Sequence, residues 1–207
     1  SPLMRCKTRI VDSGKEPKTW GFDGSSTNQA PGSNSDCVLE PVFACPDPIR
    51  GEDNVLVLCD VLLPDGTPHA TNTRAACAAV AEEFADQESM FGIEQEYTFM
   101  QNGRPLGWPE VGFPAPQGPY YCGVGGGKMV GREIIEAHTI ACLKAGLSIE
   151  GTNAEVMKAQ WEFQIGVLPA PRIADEIWMG RWLLYRIAED FDVEVSLSAK
   201  PVPGDWN

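Results

Sequence analysis

The pattern of apolar and polar positions changes in character along the chain. The first third consists of short β-prone runs separated by Pro, Gly, Asn and Asp, namely MRCKTRIV (4–11), TWGFDG (19–24), CVLEPVFACP (37–46) and NVLVLCDVLLPDGTPH (54–69). From Asn72 an alanine-rich pattern predicts a helix over 72–87, with Asn72 or Thr73 as its N-cap. We therefore place a domain boundary near residue 66, which divides the chain into 1–66 and 67–207.

The second part predicts an alternation of strands and helices. Strands are expected at 91–99, 147–157 and 159–167, with a last strand and turn over 193–207, and helices at 131–146 and 172–191. The helix over 131–146 places Ile134, Ile135, His138, Cys142 and Leu143 near one face. The segment from 102 to 128 is rich in Gly, Pro and aromatic residues, and its length predicts a functional loop.

The predicted strand FGIEQEYTF (91–99) carries two carboxylates in an otherwise β-prone run. Alternate residues of a strand share a face, so Glu94 and Glu96 point the same way, roughly 6.7 Å apart along the backbone. Two acids this close in a half-buried sheet repel and desolvate each other. Water or a cation must therefore reach that face.

Two further predicted strands repeat the feature, because Glu155 and Glu162 also interrupt apolar runs. If these strands pair in one sheet, four carboxylates converge on one face, and hard divalent cations would compensate their charge. Ligands that are all oxygen favour Mg²⁺ or Mn²⁺ over zinc. Spacing alone leaves open a second interpretation, which is four solvated acids on an exposed sheet face.

Composition limits the partners and the compartment. The formal net charge of −13 argues against nucleic-acid and anionic-membrane surfaces, and no run of 18 apolar residues is present. The seven cysteines are odd in number and lack a CxxC pair, which favours reduced thiols in the cytosol or another reducing space.

Other candidate functional motifs do not fit the sequence patterns or positions that their chemistry requires. GVGGGK (123–128) resembles a phosphate loop, but Met129 follows the lysine and the four-residue gap between the glycines is missing. His69 lies in a predicted turn and His138 on a buried helix face, where packed histidines are the simpler expectation.

Five strings carry a resemblance to a known family, and they occur in the family's order: WGFDGSSTNQA, FGIEQEYTF, FPAPQGPYYCGVG, NAEVMKAQWEFQIG and KPVPGDWN. Together they resemble glutamine synthetase of the eukaryotic-type class. The resemblance runs over essentially the whole chain, and it suggests a chain truncated at both ends, mainly at the C-terminus. It implies an α+β fold, in which a small N-terminal β-grasp-like domain is followed by an α/β catalytic domain whose antiparallel sheet carries the metal-binding glutamates.

The resemblance also implies an activity. The family uses ATP to convert glutamate into γ-glutamyl phosphate, which ammonia then attacks to give glutamine, ADP and phosphate. Glu96, Glu155 and Glu162 resemble the ligands of a Mg²⁺ or Mn²⁺ ion near the glutamate carboxylate, with Glu155 also placed for substrate binding. Glu94 resembles a ligand of a second metal at the ATP phosphates.

The remaining implied roles concern the substrates and the assembly. Asp23 resembles the residue that takes a proton from ammonium, and Ser26 and Tyr120 would help line the ammonium pocket. Asp205 and Trp206 match a pair that contacts glutamate. The nucleotide-contacting positions would be Glu150, Glu162, Phe163, Gln164, Ile165, Gly166 and Val167. The family further implies a cytoplasmic homo-oligomer, a double ring of ten subunits, with active sites between subunits.

Two alternatives remain open at this point. The chain could be part of a γ-glutamyl-amine ligase that takes a bulkier amine, or a non-catalytic structural or regulatory member of the family. One departure from the family pattern is visible, since Gly126, Gly127 and Lys128 stand where the family usually carries an acidic residue.

Overall fold

The computed structural model describes residues 4–204 and Trp206. Within that part of the chain, two sheets with antiparallel strand pairs are combined with three α-helices, which confirms the predicted α+β class. The strands are β1 (Trp20–Asp23), β2 (Asp36–Pro46), β3 (Val55–Leu62), β4 (Met90–Gln101), β5 (Arg104–Pro105), β6 (Ile149–Ala154), β7 (Gln160–Pro169) and β8 (Glu194–Ser196). The α-helices are α1 (Thr73–Glu83), α2 (Arg132–Lys144) and α3 (Arg172–Glu189).

The chain forms two compact units. One consists of Cys6–Phe91 together with Leu168–Asp175, and the other is built mainly from Gly92–Val167 and the residues from Glu176 onward. A compact unit and a sequence domain need not coincide, and the domain boundary near residue 66 stays a prediction.

The first unit contains an antiparallel sheet in the order β1-β2-β3. Its core is formed by side chains that alternate along the two longer strands, among them Cys37, Phe43, Cys45 and Leu56. Helix α1 follows, and the predicted cap at Asn72 is confirmed because its side chain accepts a hydrogen bond from the Ala75 amide at 3.1 Å.

The strand predicted at 4–11 is wrong, since these residues form no strand. Ile10 and Val11 are 95 % and 52 % exposed, so the apolar end of the run contributes no core residue. This run instead contacts β1 through a basic side chain. The Lys7 Nζ lies 3.7 Å from the centre of the Trp20 ring and donates to the Gly21 carbonyl at 2.8 Å. Side-chain contacts here replace the backbone ladder that the β-prone composition suggested.

The second unit contains a five-stranded sheet in which β5, β4, β7 and β6 follow one another and β8 also pairs with β4. Strands β6 and β7 form an antiparallel pair in which Asn153 lies opposite Glu162. Beneath the sheet lies an aromatic core of Tyr97, Phe99, Trp161 and Phe163. Helices α2 and α3 supply its aliphatic side chains, including Ile134, Ile135, Ile177, Leu183 and Leu184.

Both histidines are buried and hydrogen-bonded. His138 is fully buried, donates from Nε2 to the Gly180 carbonyl at 2.9 Å and packs against Phe163. Burial lowers the pKa of His138 to about 4, so the imidazole is neutral at pH 7. His69 contacts the Gln29 carbonyl through Nε2 at 2.7 Å.

Three details differ from the predicted pattern. Leu143, expected on the buried face of α2, is 60 % exposed, and α3 ends at Glu189, which leaves Phe191 beyond it and 37 % exposed. The strand within the predicted strand and turn over 193–207 is short, since β8 covers only Glu194–Ser196. Among the described residues, no helix combines the length and the apolar character that crossing a bilayer requires.

Candidate metal centre and adjoining cleft

Strand β4 presents its carboxylates on one side, as predicted. Glu94 and Glu96 are exposed, whereas the alternating residues Gln95 and Tyr97 are buried. This alternation directs the acidic side chains away from the aromatic core.

Three of the four predicted carboxylates come together. Glu96, Glu155 and Glu162 each offer a carboxylate oxygen, and these three oxygens lie within 4.8 Å of one another. Glu162 lies on β7, as expected. The expectation that Glu155 lies in a strand is wrong, because β6 ends at Ala154 and Glu155 follows it, where its amide donates to the Gln160 carbonyl at 2.9 Å. The turn between β6 and β7 therefore carries this carboxylate to the other two.

The three glutamates differ in exposure. Glu96 is open to solvent, while Glu155 is 9 % and Glu162 is 6 % exposed. Burial raises the pKa of Glu162, and the negative charges of Glu94, Glu155 and Glu96 raise it further, against the lowering effect of a hydrogen bond from Gln164. The hydrogen bond from Gln164 therefore does not fully compensate the burial of Glu162 and the negative charges of the neighbouring glutamates.

A hard divalent cation fits this set of donors. Mg²⁺ and Mn²⁺ take oxygen ligands at about 2.1 Å, so ligand oxygens in one octahedron lie roughly 3 to 4 Å apart. Since the three carboxylate oxygens already lie within 4.8 Å, small side-chain rotations are enough to meet that spacing. Bound positive charge would also remove the repulsion that raises the pKa of Glu162.

Glu94 lines two cavities of the second unit. A cavity of about 250 Å³ is lined by Glu94, Glu96 and Gln160 together with Leu197–Ala199. A larger cleft of about 590 Å³ is lined by Glu94 and by Gly92, Ile93, Glu150 and Gln164–Val167. Five of the predicted nucleotide-contacting residues therefore face one cleft. Phe163 and Glu162 do not line it, since Phe163 is fully buried in the core and Glu162 lies with the carboxylates of the metal centre.

Amide side chains in this site were not predicted to act on the carboxylates. Gln160 and Gln164 flank Glu162 at a spacing of two residues on β7, so all three share one strand face. Asn153 precedes Glu155 by the same spacing. This alternation of amide and acid is a visible sequence signal, and it would have identified the hydrogen-bond donors of the site.

Asp23 is placed as an N-cap. Its carboxylate accepts from the Ser25 amide at 3.0 Å and from the hydroxyls of Ser25 and Ser26 at 2.6 and 2.7 Å. These hydrogen bonds lower the pKa of Asp23 to about 2. The next residue must be glycine, because a Cβ at Gly24 would lie 2.6 Å from the Cys37 sulfur. The GFDGSS turn thus holds an ionised carboxylate in a fixed orientation.

Two other predicted substrate residues, Tyr120 and Trp206, lie in the second unit. Tyr120 is buried and donates from its hydroxyl to the Ala115 carbonyl at 3.0 Å. Trp206 stacks on Phe113 with ring centres 4.8 Å apart. Asp205 lies outside the described residues. The roles assigned to Asp23, Ser26, Tyr120 and Trp206 stay predictions.

Comparison with known proteins first defines the class of the N-terminal domain. Residues 4–64 match the family described as "Glutamine synthetase, beta-Grasp domain". This match covers β1, β2 and β3 and confirms the β-grasp expectation for this part of the fold.

Whole-chain relatives then define the family. The chain is 76 % identical over 206 residues to the glutamine synthetase of Frankia alni, covering 100 % of this chain and 58 % of the relative. It is 63 % identical over 210 residues to that of Streptomyces viridochromogenes, covering 99 % of this chain and 61 % of the relative. It is 54 % identical over 209 residues to glutamine synthetase 2 cytoplasmic of Drosophila melanogaster, covering 99 % of this chain and 57 % of the relative. The resemblance to the glutamine synthetase family is therefore confirmed, and the chain spans about three fifths of the length of these relatives.

Proposed function

We propose that this chain is part of an ATP-dependent ligase that joins ammonia to L-glutamate and forms L-glutamine, ADP and phosphate. The observation that carries the proposal is the convergence of Glu96, Glu155 and Glu162 beside a cleft lined by the predicted nucleotide residues. The names of relatives up to 76 % identical support it. Cytoplasmic location and assembly into a double ring of ten subunits belong to the same proposal.

The chemistry needs a device that makes a carboxylate reactive. A carboxylate is a poor electrophile until phosphorylation turns one of its oxygens into a leaving group, so we propose a γ-glutamyl phosphate intermediate. Mg²⁺ or Mn²⁺, when bound, would supply Lewis-acid stabilisation of the phosphoryl charge. Glu96, Glu155 and Glu162 would hold one such ion, and Glu94 would serve a second ion on the side of the larger cleft.

The cleft supports a nucleotide position next to that site. Gln164–Val167 and Glu150 line its wall, and Glu94 lines both this cleft and the smaller cavity beside Glu96. A nucleotide in the larger cleft would therefore extend its phosphates toward Glu94. The glutamate substrate would lie on the side of Glu155, with Asp205 and Trp206 as further contacts.

The proposal is tested with the full natural chain that contains residues 1–207. We expect glutamine to form only when glutamate, ammonium, ATP and Mg²⁺ or Mn²⁺ are all present, with one ADP and one phosphate released per glutamine. Product identity is measured by mass spectrometry and ADP by a coupled assay. Preference for a bulkier amine over ammonium would establish the γ-glutamyl-amine alternative, and absence of any amide product would contradict ligase activity.

Asp23 offers a separate test within this mechanism. A pKa of about 2 keeps Asp23 anionic, which suits attraction of ammonium, and burial in a completed site would raise the pKa of Asp23 in the direction that proton transfer needs. Asp23→Asn keeps the cap but removes the charge, so amide formation should fall roughly a hundredfold or more while phosphoryl transfer to glutamate persists. The defect should ease as rising pH increases free ammonia.

The matched control is Asp65→Asn. Asp65 is also an exposed turn residue of the first unit, and hydrogen bonds from Thr67 lower its pKa in the same manner. This variant should leave both partial reactions unchanged. If Asp23→Asn reduced both partial reactions equally at every pH, Asp23 would be a structural residue of the turn.

A further inference from the structure

Each glutamate of the metal centre is held by a neutral amide. Gln160 donates from Nε2 to Glu96 at 2.7 Å, Asn153 donates from Nδ2 to Glu155 at 3.0 Å, and Gln164 donates from Nε2 to Glu162. The same Nε2 of Gln164 also donates to the Asn153 side-chain oxygen at 2.9 Å. The amides thus form a connected set that runs from Glu162 through Gln164 and Asn153 to Glu155.

The amides are themselves fixed. The side-chain oxygen of Gln160 accepts from the Met157 amide at 3.2 Å, and Gln160 is only 5 % exposed. Its Nε2 is therefore aimed at Glu96 across the sheet, from β7 to β4. A buried amide side chain whose oxygen and nitrogen both form hydrogen bonds loses its rotational freedom. It therefore also restricts the orientation of the carboxylate to which it donates.

The chemical type of the donor matters here. In the part of the chain that the structure describes, no lysine, arginine or histidine forms an ion pair with Glu96, Glu155 or Glu162. A cationic partner would neutralise a carboxylate and compete with a metal, whereas an amide orients it and leaves its charge. Glu155 also accepts from the Val156 backbone amide at 3.1 Å. Each carboxylate has about four lone-pair sites, so one or two such bonds leave the others free for a cation.

From these contacts we infer that Asn153, Gln160 and Gln164 are positioning residues that set the spacing of the three carboxylates and make the centre prefer Mg²⁺ or Mn²⁺ over Ca²⁺. The inference rests on the proposed metal centre. Mg²⁺ requires nearly ideal octahedral geometry at about 2.1 Å, while Ca²⁺ accepts irregular geometry at about 2.3 to 2.6 Å. Carboxylates released from the amides would therefore lose affinity for the smaller ions first.

A substitution at Gly151 tests the role of the Gln164 amide independently. A Cβ at Gly151 would lie 2.7 Å from the side-chain oxygen of Gln164, and no backbone atom lies within 4 Å of that position. Gly151→Ala should therefore push the Gln164 amide aside without disturbing the strand. It alters the amide set while every ligand and every amide stays in the sequence.

The test measures cation binding by the full natural chain. Variants Gln164→Met and Gln160→Met remove a donor at nearly constant volume, Gly151→Ala displaces one, and Gln101→Met is the control, since Gln101 of β4 donates to the Asp192 carbonyl. Free Mn²⁺ is followed by electron paramagnetic resonance and Ca²⁺ by titration calorimetry, and thermal unfolding verifies the fold.

We expect the Kd for Mn²⁺ to rise about tenfold to a hundredfold in the three variants, as is typical for loss of an outer-shell partner, with a much smaller change for Ca²⁺ and none in the control. An unchanged Mn²⁺ affinity, or equal losses for both cations, would overturn the inference. Glu162→Gln distinguishes failure of the proposed metal centre from failure of the inference about the amides. If this variant binds Mn²⁺ as tightly as the natural chain does, the carboxylates do not form a metal centre, and the inference about the amides is overturned as well.

Discussion

Glu155→Ala in the full natural chain should abolish glutamine formation. The substitution removes a charged oxygen ligand from a set of three whose oxygens lie within 4.8 Å. Loss of such a ligand is expected to cost several kcal/mol of transition-state stabilisation, which is a rate decrease of about a thousandfold or more. Mn²⁺ binding at this centre should weaken in parallel, and Glu96→Ala should behave in the same way.

The fold should survive the change, because removal of one carboxylate relieves part of the charge repulsion that, together with the larger effect of burial, raises the pKa of Glu162. Thermal unfolding measured in the absence of metal checks this point. Glu136→Ala is the matched control, since Glu136 is an exposed residue of α2. Near-normal turnover of Glu155→Ala at saturating Mg²⁺ would show that the carboxylate set does not hold a catalytic ion.

Arg74→Ala should destabilise the protein by roughly 3 kcal/mol, the largest stability effect that we expect from a single charged residue. Arg74 donates from Nε and Nη2 to the two oxygens of Asp175 at 2.7 and 2.9 Å, and its Nη1 lies 3.6 Å from Asp60. The Asp175 side chain is only 6 % exposed. Truncation of the arginine would leave this carboxylate buried without its bidentate partner.

Unfolding in urea gives the change in stability, and Lys15→Ala is the control within the same unit. Lys15 also pairs with an aspartate, Asp12, but the two side chains are 61 % and 79 % exposed. An exposed pair of this kind contributes about 0 to 1 kcal/mol. Equal midpoints for Arg74→Ala and Lys15→Ala would show that the Asp175 pair is not a stabilising contact.

The local sequence pattern was sufficient to predict features that depend on a single strand or helix. Alternation along FGIEQEYTF places Glu94 and Glu96 on the exposed side of β4, and Asn72 caps α1, because both results depend only on neighbours in sequence. The same reasoning failed at 4–11, where strand propensity is present but Lys7 bonds to β1 through its side chain.

The sequence by itself determined the α+β class, the helices, the family resemblance and the choice of Glu96, Glu155 and Glu162. Only the tertiary structure decided how these groups meet. The turn after β6 carries Glu155 to the other two, Gln160 reaches Glu96 across 64 positions, and Arg74 meets Asp175 across 101. The physical reason is that strand pairing and helix packing join residues that are distant in sequence, and no local periodicity records which partner an amide or a guanidinium will find.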